Sequence, residues 1–302
     1  MSIGPGLPDS TWQHLGQFFF GGKPFVASLL PTGPFHLGRV WQVDCGSGKA
    51  DFVIKERPDS PFAREHARLG WDLSQHFAWE MRNGFPVLAN RRCPFLIFDS
   101  QLYQAWKWLR GESFDGDEFP LERALEFLVG FQEISTSACG IKEGDLPCVA
   151  ARRRALESEC WQVCGDCFAE DVVDQMRVWR PLALKLLSGL SGRGNLMVCH
   201  GDPWVGNWLD MGPTSPSGVG MIDWSTVRWD HGESDFARLI GSVGPLVSQE
   251  HLKAGAGSIR EVLAWTGHVA ALANWLKKRP VDGWNPIQAK RVKWVLGRLG
   301  VE

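Results

Sequence analysis

Short apolar runs with alternating or continuous spacing fill the first third of the chain, and three-to-four-residue apolar spacing fills most of the rest. Residues 35–44 and 50–55 read as two strands joined by Gly46-Ser47-Gly48. Phe95–Phe98 and Leu102–Trp106 read as two more, turning at Asp99-Ser100-Gln101. Helices are expected over Thr11–Phe20, opened by Asp9-Ser10, and over Pro61–His76, opened by Asp59-Ser60. Beyond the polar stretch 112–118, read as a linker, the period changes. Leu121, Leu125, Leu128 and Phe131 place a core-facing stripe on a helix over residues 121–134. Further helices are expected over 149–161, over 168–187 with a bend at Pro181, over 258–278 and over 286–299. This pattern predicts an α+β fold with a small, mostly antiparallel N-terminal lobe (residues 1–111) and a mostly helical C-terminal lobe (residues 112–302).

Composition narrows the partners. The 302 residues suffice for two intimate lobes with a full core, and the net charge of -2 offers no basic field for nucleic acid. Residues 1–111 hold twelve Lys/Arg against nine Asp/Glu, and residues 112–302 hold twenty against twenty-five. The acidic second part favours a cationic or neutral polar small molecule. No run approaches the ~18 apolar residues of a membrane span, and Met1–Trp12 lacks a basic-then-apolar leader, so a cytoplasmic protein without membrane partners is expected. The eight cysteines read as free thiols. Cys160, Cys164 and Cys167 have an iron–sulfur-like spacing, but the flanking helix-forming sequence and the absence of an obvious fourth ligand argue for ordinary helical cysteines.

Two polar loops follow apolar strands. The first, Val198-Cys199-His200-Gly201-Asp202-Pro203-Trp204-Val205-Gly206-Asn207, carries a carboxylate and, five residues later, an amide. The second, Gly220-Met221-Ile222-Asp223-Trp224, ends on a carboxylate. Two carboxylates and an amide suit a small hard cation that keeps some of its waters, which means Mg2+ bridging phosphates. One aspartate can remain off the metal to orient a substrate hydroxyl and accept its proton.

His-x-Asp, four residues, Asn, and an apolar strand ending in Asp resemble the catalytic and metal loops of the protein-kinase-like superfamily. Gly201, Trp204, Trp208 and Ile222-Asp223-Trp224 look most like its aminoglycoside phosphotransferase and choline/homoserine kinase branch. The resemblance implies a two-lobed protein-kinase-like fold and transfer of the γ-phosphoryl group of ATP to a hydroxyl of a small molecule. It makes Asp202 the base or orienting carboxylate, and Asn207 and Asp223 the Mg2+ ligands. Lys55, ending a strand, would meet the α and β phosphates, and Glu65, ten residues on, would hold Lys55 from the helix 61–76. Lys107-Trp108-Leu109 resembles the hinge, where Lys107 and Leu109 would present backbone groups to the adenine. His231–Ala237 resembles a helix start whose Asp235 braces the catalytic loop through backbone N–H groups, with His200 as an orienting group. The phosphate-covering loop, Gly33 to Trp41, keeps only two glycines, so GTP is not excluded as the donor.

Other features bear on the acceptor. Glu157, Glu159, Asp166, Glu170, Asp171 and Asp174 cluster where relatives build the acceptor wall, and read either as a cation-binding surface or as solvated faces. Trp265, Trp275, Trp284 and Trp294 read as core, or in part as a box for a quaternary ammonium with Trp224 or Trp229. Two alternatives remain at this level: a non-catalytic nucleotide-binding regulatory module of the same fold, and a Ser/Thr protein kinase. Gly201, where protein kinases carry Arg, disfavours the second.

Overall fold

Alternation along one strand organises the first part of the molecule. In the computed structural model, which describes residues 5–31, 38–76, 93–114, 118–158, 168–190, 193–213, 215–243, 246–277, 284 and 286–301, the chain begins with helix α1 (Asp9–Phe20). Strands β1 (Val26–Leu29), β2 (Val40–Asp44) and β3 (Phe52–Pro58) come next, then α2 (Pro61–His76), β4 (Leu96–Phe98), β5 (Gln101–Lys107) and β6 (Glu112–Ser113). The second stretch holds α3 (Leu121–Cys139), β7 (Lys142–Asp145), α4 (Pro147–Glu157), α5 (Glu170–Gly189) and β8 (Arg193–Cys199). It continues with β9 (Trp208–Asp210), β10 (Val219–Met221), β11 (Arg228–His231), α6 (Glu233–Val243), α7 (Gln249–Lys253), α8 (Ile259–Lys277) and α9 (Pro286–Arg298). The long helices match the apolar periodicity; β1, β7, β11 and α7 are additions whose short or charged sequences carry no strong period. The expected loop 33–37 and the cysteines at 160, 164 and 167 lie outside the described residues.

Two compact units form, residues 1–118 with 206–228, and residues 119–205 with 229–302. The division therefore differs from a single break at residue 111. The reason is β6, which pairs with β9 (Glu112↔Asp210, Ser113↔Leu209) and draws the supposed linker and the segment 206–228 into the first unit. At Gly111 a Cβ would lie 2.7 Å from the Asp210 carbonyl oxygen, so only glycine allows this approach.

In the first unit the five-stranded antiparallel sheet has the order β1-β2-β3-β5-β4. Asp44 Oδ1 accepts the N–H groups of Gly46, Ser47 and Gly48, closing the β2–β3 turn. Asp99 and Ser100, both at positive φ, form the two-residue turn between β4 and β5. Because neighbouring residues of a strand face opposite ways, β3 sends Ile54 and Glu56 to one face and Lys55 and Arg57 to the other. The first face is apolar and packs Trp41, Val43, Ile54, Tyr103 and Ala105 against Trp12, Leu15 and Phe19 of α1. Buried Glu56 sits at its edge, held by Arg39 (Nε 2.5 Å, Nη2 2.7 Å) and by the Tyr103 hydroxyl at 3.1 Å. The other face receives α2 through Leu102 against Ala63 and Ala67. This unit thus carries the two expected helices, one on each face. At Gly38 a Cβ would lie 1.7 Å from the Glu56 carbonyl oxygen, so the second glycine of the expected phosphate loop is needed for strand approach.

The second unit buries Leu156, Trp179, Leu187, Trp265, Val269 and Leu272 among α4, α5 and α8. A three-stranded sheet β11-β8-β7 lies in it. Gly241 of α6 allows close approach to α8, since a Cβ there would lie 2.9 Å from His268 Cε1. Among the described residues no helix is long and apolar enough to cross a membrane.

His66 in the first unit and His268 in the second are buried, and burial is the main reason each is pushed down to about 4. Nearby arginines add to it: Arg57 and Arg228 for His66; Arg238, Arg298 and Arg152 for His268. A neutral imidazole in the folded state and an ordinary one near pH ~6.5 when unfolded make the unfolded chain the better proton acceptor between those values. Stability is therefore full above about pH 6.5 and is lost as pH falls towards 4, by at most about 3 kcal/mol per histidine. Thermal melts at pH 7.5 and pH 5 should show this loss, and His268→Gln should reduce it; an equal loss in the variant would remove His268 as a cause.

Candidate active site

The first unit brings three of the expected groups to neighbouring positions. In the β9–β10 hairpin Met221 pairs with Trp208, and the Ile222 N–H donates to the Asn207 carbonyl at 2.9 Å. Asn207, one residue before β9, and Asp223, two after β10, therefore leave the same end of the hairpin. Asn207 is buried in a 3-10 turn, Val205–Asn207. Asp223 has φ 64 and ψ 55, a left-handed conformation that Asp and Asn tolerate better than most residues. Its Oδ1 meets Lys55 Nζ at 2.5 Å and accepts the Ser225 hydroxyl at 2.5 Å. Lys55 is placed by β3, in register with Val40 on β2 and Gln104 on β5.

Glu65 does not take the part expected of it. The buried face of α2 is Ala63, His66, Ala67, Gly70, Leu73 and Ser74, and Glu65 points to the opposite, exposed side. The carboxylate holding Lys55 is Asp223. Position 66, which does face the sheet, is a neutral histidine. A residue not anticipated, Arg57, ties this region together. Its Nη1 donates to the Ser225 carbonyl at 2.7 Å, and its Nη2 donates to the Ala63 carbonyl at 2.7 Å and to Gln104 Oε1 at 3.1 Å. Burial pushes Arg57 down to about 10, against the opposing charge of Asp223. The i, i+2 spacing of Lys55 and Arg57 on one strand was the signal for it. Glu65→Gln should leave MgATP affinity within about twofold of wild type, whereas Lys55→Met should weaken it at least tenfold. Calorimetry decides this, and a Glu65→Gln loss as large as that of Lys55→Met would restore the helix-carboxylate role.

The hinge segment also belongs to this unit. Trp108 donates its N–H to the Asp51 carbonyl at 2.9 Å, beside the Phe52↔Lys107 pair, and Leu109 is buried.

The second unit holds the loop with Asp202. Strand β8 ends at Cys199, and His200 follows with no exposed surface. Gly201 has φ 86, a conformation that favours glycine, so an arginine at this position would be strained. Asp235, buried on α6, accepts the N–H of His200 at 2.6 Å and of Gly201 at 2.9 Å. The bracing expected of Asp235 is thus present. His200 Nδ1 accepts the Asp202 N–H at 3.3 Å, and the Ser242 hydroxyl accepts the Val205 N–H at 3.2 Å. Asp202 Oδ1 is met by Arg238 through Nε at 3.0 Å and Nη2 at 2.9 Å. Arg238, three residues after Asp235 on α6, had no part in the sequence reading.

The tryptophans are mostly structural. Trp265 is core, Trp229, Trp275 and Trp284 pack against that core, and Trp224 is buried with its Nε1 donating to the Met221 carbonyl at 2.7 Å.

In the first unit Asp223 and Asn207 leave one end of a hairpin and Asp223 meets the strand lysine Lys55; in the second unit a loop braced by Asp235 carries Asp202. Residues 96–265, more than half of the chain, match the model of the phosphotransferase enzyme family.

The chain belongs to that family.

The fold agrees. A GDP complex of an aminoglycoside 2'-phosphotransferase-IIIa mutant is similar with a TM-score of 0.63 at 14% identity, over 97% of this chain and 98% of the other. A microcompartment-associated aminopropanol kinase is similar with a TM-score of 0.61 at 13% identity, over 97% and 95%. A choline/ethanolamine kinase family protein from Mesorhizobium loti gives 0.56 at 11%, over 96% and 94%. No curated protein matches the sequence. This phosphotransferase is accordingly an enzyme of protein-kinase-like fold, a small-molecule kinase.

Proposed function

We propose that the enzyme transfers the γ-phosphoryl group of ATP to a hydroxyl of a small molecule, with Mg2+ as cofactor. The observation that carries this reading is the Lys55–Asp223 ion pair at the end of the β9–β10 hairpin, where Asn207 also emerges. The donor set fits the metal: a carboxylate and an amide oxygen are hard ligands, and a site with so few protein ligands suits an ion that keeps waters and binds phosphates. Asn207 and Asp223 would hold the Mg2+, which when bound would neutralise phosphate charge. Lys55 binds the α and β phosphates, and Lys107 and Leu109 offer backbone groups to the adenine. Asp202 orients the acceptor hydroxyl. In the transfer the bond from the γ phosphorus to the ADP oxygen breaks and a bond to the acceptor oxygen forms. The hydroxyl proton passes to Asp202 and then to solvent, and the work left to the protein is positioning and charge neutralisation.

The reading is supported over a protein kinase by Gly201, whose positive φ would strain the arginine of that class, and over a non-catalytic module by the presence of every polar group the chemistry needs. A coupled ADP-release assay over hydroxyl-bearing small molecules tests it. MgATP-dependent turnover of a small acceptor supports it; absence of MgATP binding, or phosphorylation of generic protein substrates alone, rejects it.

A further inference from the structure

Several elements of the first unit meet at Ser225. It lies in the 3-10 turn Trp224–Thr226, directly after Asp223, and is held through both its side chain and its backbone. Its hydroxyl donates to Asp223 Oδ1 at 2.5 Å, the same oxygen that Lys55 Nζ meets. Its carbonyl accepts Arg57 Nη1 at 2.7 Å, and the His66 ring is hydrogen-bonded to its backbone. Asp223 precedes the turn, where a carboxylate commonly accepts a backbone N–H, yet its side chain makes no capping bond there. The carboxylate is turned instead towards Lys55 and the Ser225 hydroxyl.

Stability alone does not account for Arg57. Its guanidinium is partly buried, and its acceptors are uncharged: the carbonyls of Ser225 and Ala63 and the amide oxygen of Gln104. A charge held away from water on neutral acceptors stabilises less than an apolar side chain of similar volume. What the arginine supplies is a fixed position, because its planar fork spans α2, β5 and the turn after Asp223 at once. It stands on β3 two residues after Lys55, so one strand sets both the lysine and the backbone behind the carboxylate. Helix α2 is fastened at the same place. Ala63 is bound to Arg57 and His66 to Ser225, and at Gly70 a Cβ would lie 3.4 Å from Val227 Cγ1 and 3.2 Å from Trp106 Cη2. The helix expected to act on Lys55 through Glu65 acts instead on the turn after Asp223.

We propose that Ser225 and Arg57 are positioning residues for the metal: the Ser225 hydroxyl fixes the rotation of the Asp223 carboxylate, and Arg57 fixes Ser225. The inference rests on the phosphotransferase reading, in which Asp223 is a Mg2+ ligand, and adds the two side chains that aim it. The last torsion of an aspartate is broad and roughly two-fold, so a carboxylate left unheld offers an ion a range of directions. Partners that orient a metal ligand from behind are worth about 10–100-fold in metal affinity.

Calorimetry of ADP binding with and without Mg2+ reads this without turnover, since the ratio of the two dissociation constants is the coupling between metal and nucleotide. Ser225→Ala should lower that ratio about tenfold while metal-free ADP binds within about twofold of wild type, and Ser225→Thr, which keeps the hydroxyl, should hold the ratio within about threefold. Arg57→Lys keeps the charge and loses the fork, and should also lower the ratio about tenfold. Because both residues act on one carboxylate, the variant with Arg57→Lys and Ser225→Ala together should lose less than the product of the single losses. A ratio unchanged in Ser225→Ala, an equal loss in Ser225→Thr, or a loss falling equally on metal-free ADP overturns the inference and leaves the phosphotransferase reading in place. Losses that multiply in the double variant, or an Arg57→Lys protein that melts below the assay temperature, overturn the part given to Arg57, and the Ser225 variants decide the other. A wild-type protein that binds ADP equally with and without Mg2+ removes Asp223 as a ligand and the reading with it.

Discussion

Asp223→Asn is expected to lower turnover by roughly a thousandfold and to raise the Mg2+ concentration needed for half-maximal activity at least tenfold. Asparagine is nearly isosteric and tolerates the left-handed conformation that Asp223 adopts, so the hairpin end keeps its path. What disappears is one negative charge at a point where Lys55 lies 2.5 Å away and the Arg57 field is felt. The metal loses its only anionic ligand in the proposed set, while the lysine and arginine lose their counter-charge. These two losses act in opposite directions on ATP. A triphosphate without metal is drawn to the uncompensated cations, so metal-free ATP should bind the variant as well as it binds wild type or better. Calorimetry with and without Mg2+ resolves the two, and Asp223→Asn with the wild-type metal dependence would end the ligand role. A fall in stability of about 1–3 kcal/mol is also expected from the half-paired cations, and a melting curve separates it from the effect on binding.

The groups read well from sequence are those whose position follows from local pattern. Asn207 and Asp223 flank the two strands of the β9–β10 hairpin, where apolar and polar runs meet, while Lys55 lies mid-strand in β3, which runs on to Pro58 and not to an end at residue 55. Asp235 follows the same logic, as a carboxylate in the first turn of a helix facing backbone N–H groups. Glu65 failed because its assignment came from distance along the chain. Rotation about the α2 axis decides which residue faces the sheet, and the apolar stripe of Ala63, Ala67, Gly70 and Leu73 already placed Glu65 on the other side. Arg57 and Arg238 were missed for a different reason. Each acts on a group far away in sequence, Ser225 from Arg57 and Asp202 from Arg238; strand alternation puts Arg57 on the face of Lys55, but no local period names either partner. Residues 112–118 group with the first unit through β6, a two-residue strand whose partner lies about a hundred residues later.

Asp202→Asn should have a different signature, and the contrast is the stronger test of the roles. The substituted amide can still accept from Arg238 through its oxygen, and the loop remains held by Asp235 on His200 and Gly201 and by Ser242 on Val205. The fold and the first unit, which carries Lys55, Asn207 and Asp223, are untouched. Turnover should fall by roughly a thousandfold, the usual loss when a positioned proton acceptor is removed, while MgATP affinity and Mg2+ dependence stay within about twofold of wild type. The melting temperature should change little, because the ion pair lost is one-third to nearly one-half exposed. If the variant instead loses MgATP binding in step with turnover, Asp202 acts on the metal and not on the acceptor. If it keeps wild-type turnover on its true acceptor, another group takes the proton. Only the outcome in which kcat collapses alone is consistent with a carboxylate that touches the acceptor hydroxyl and nothing of the nucleotide.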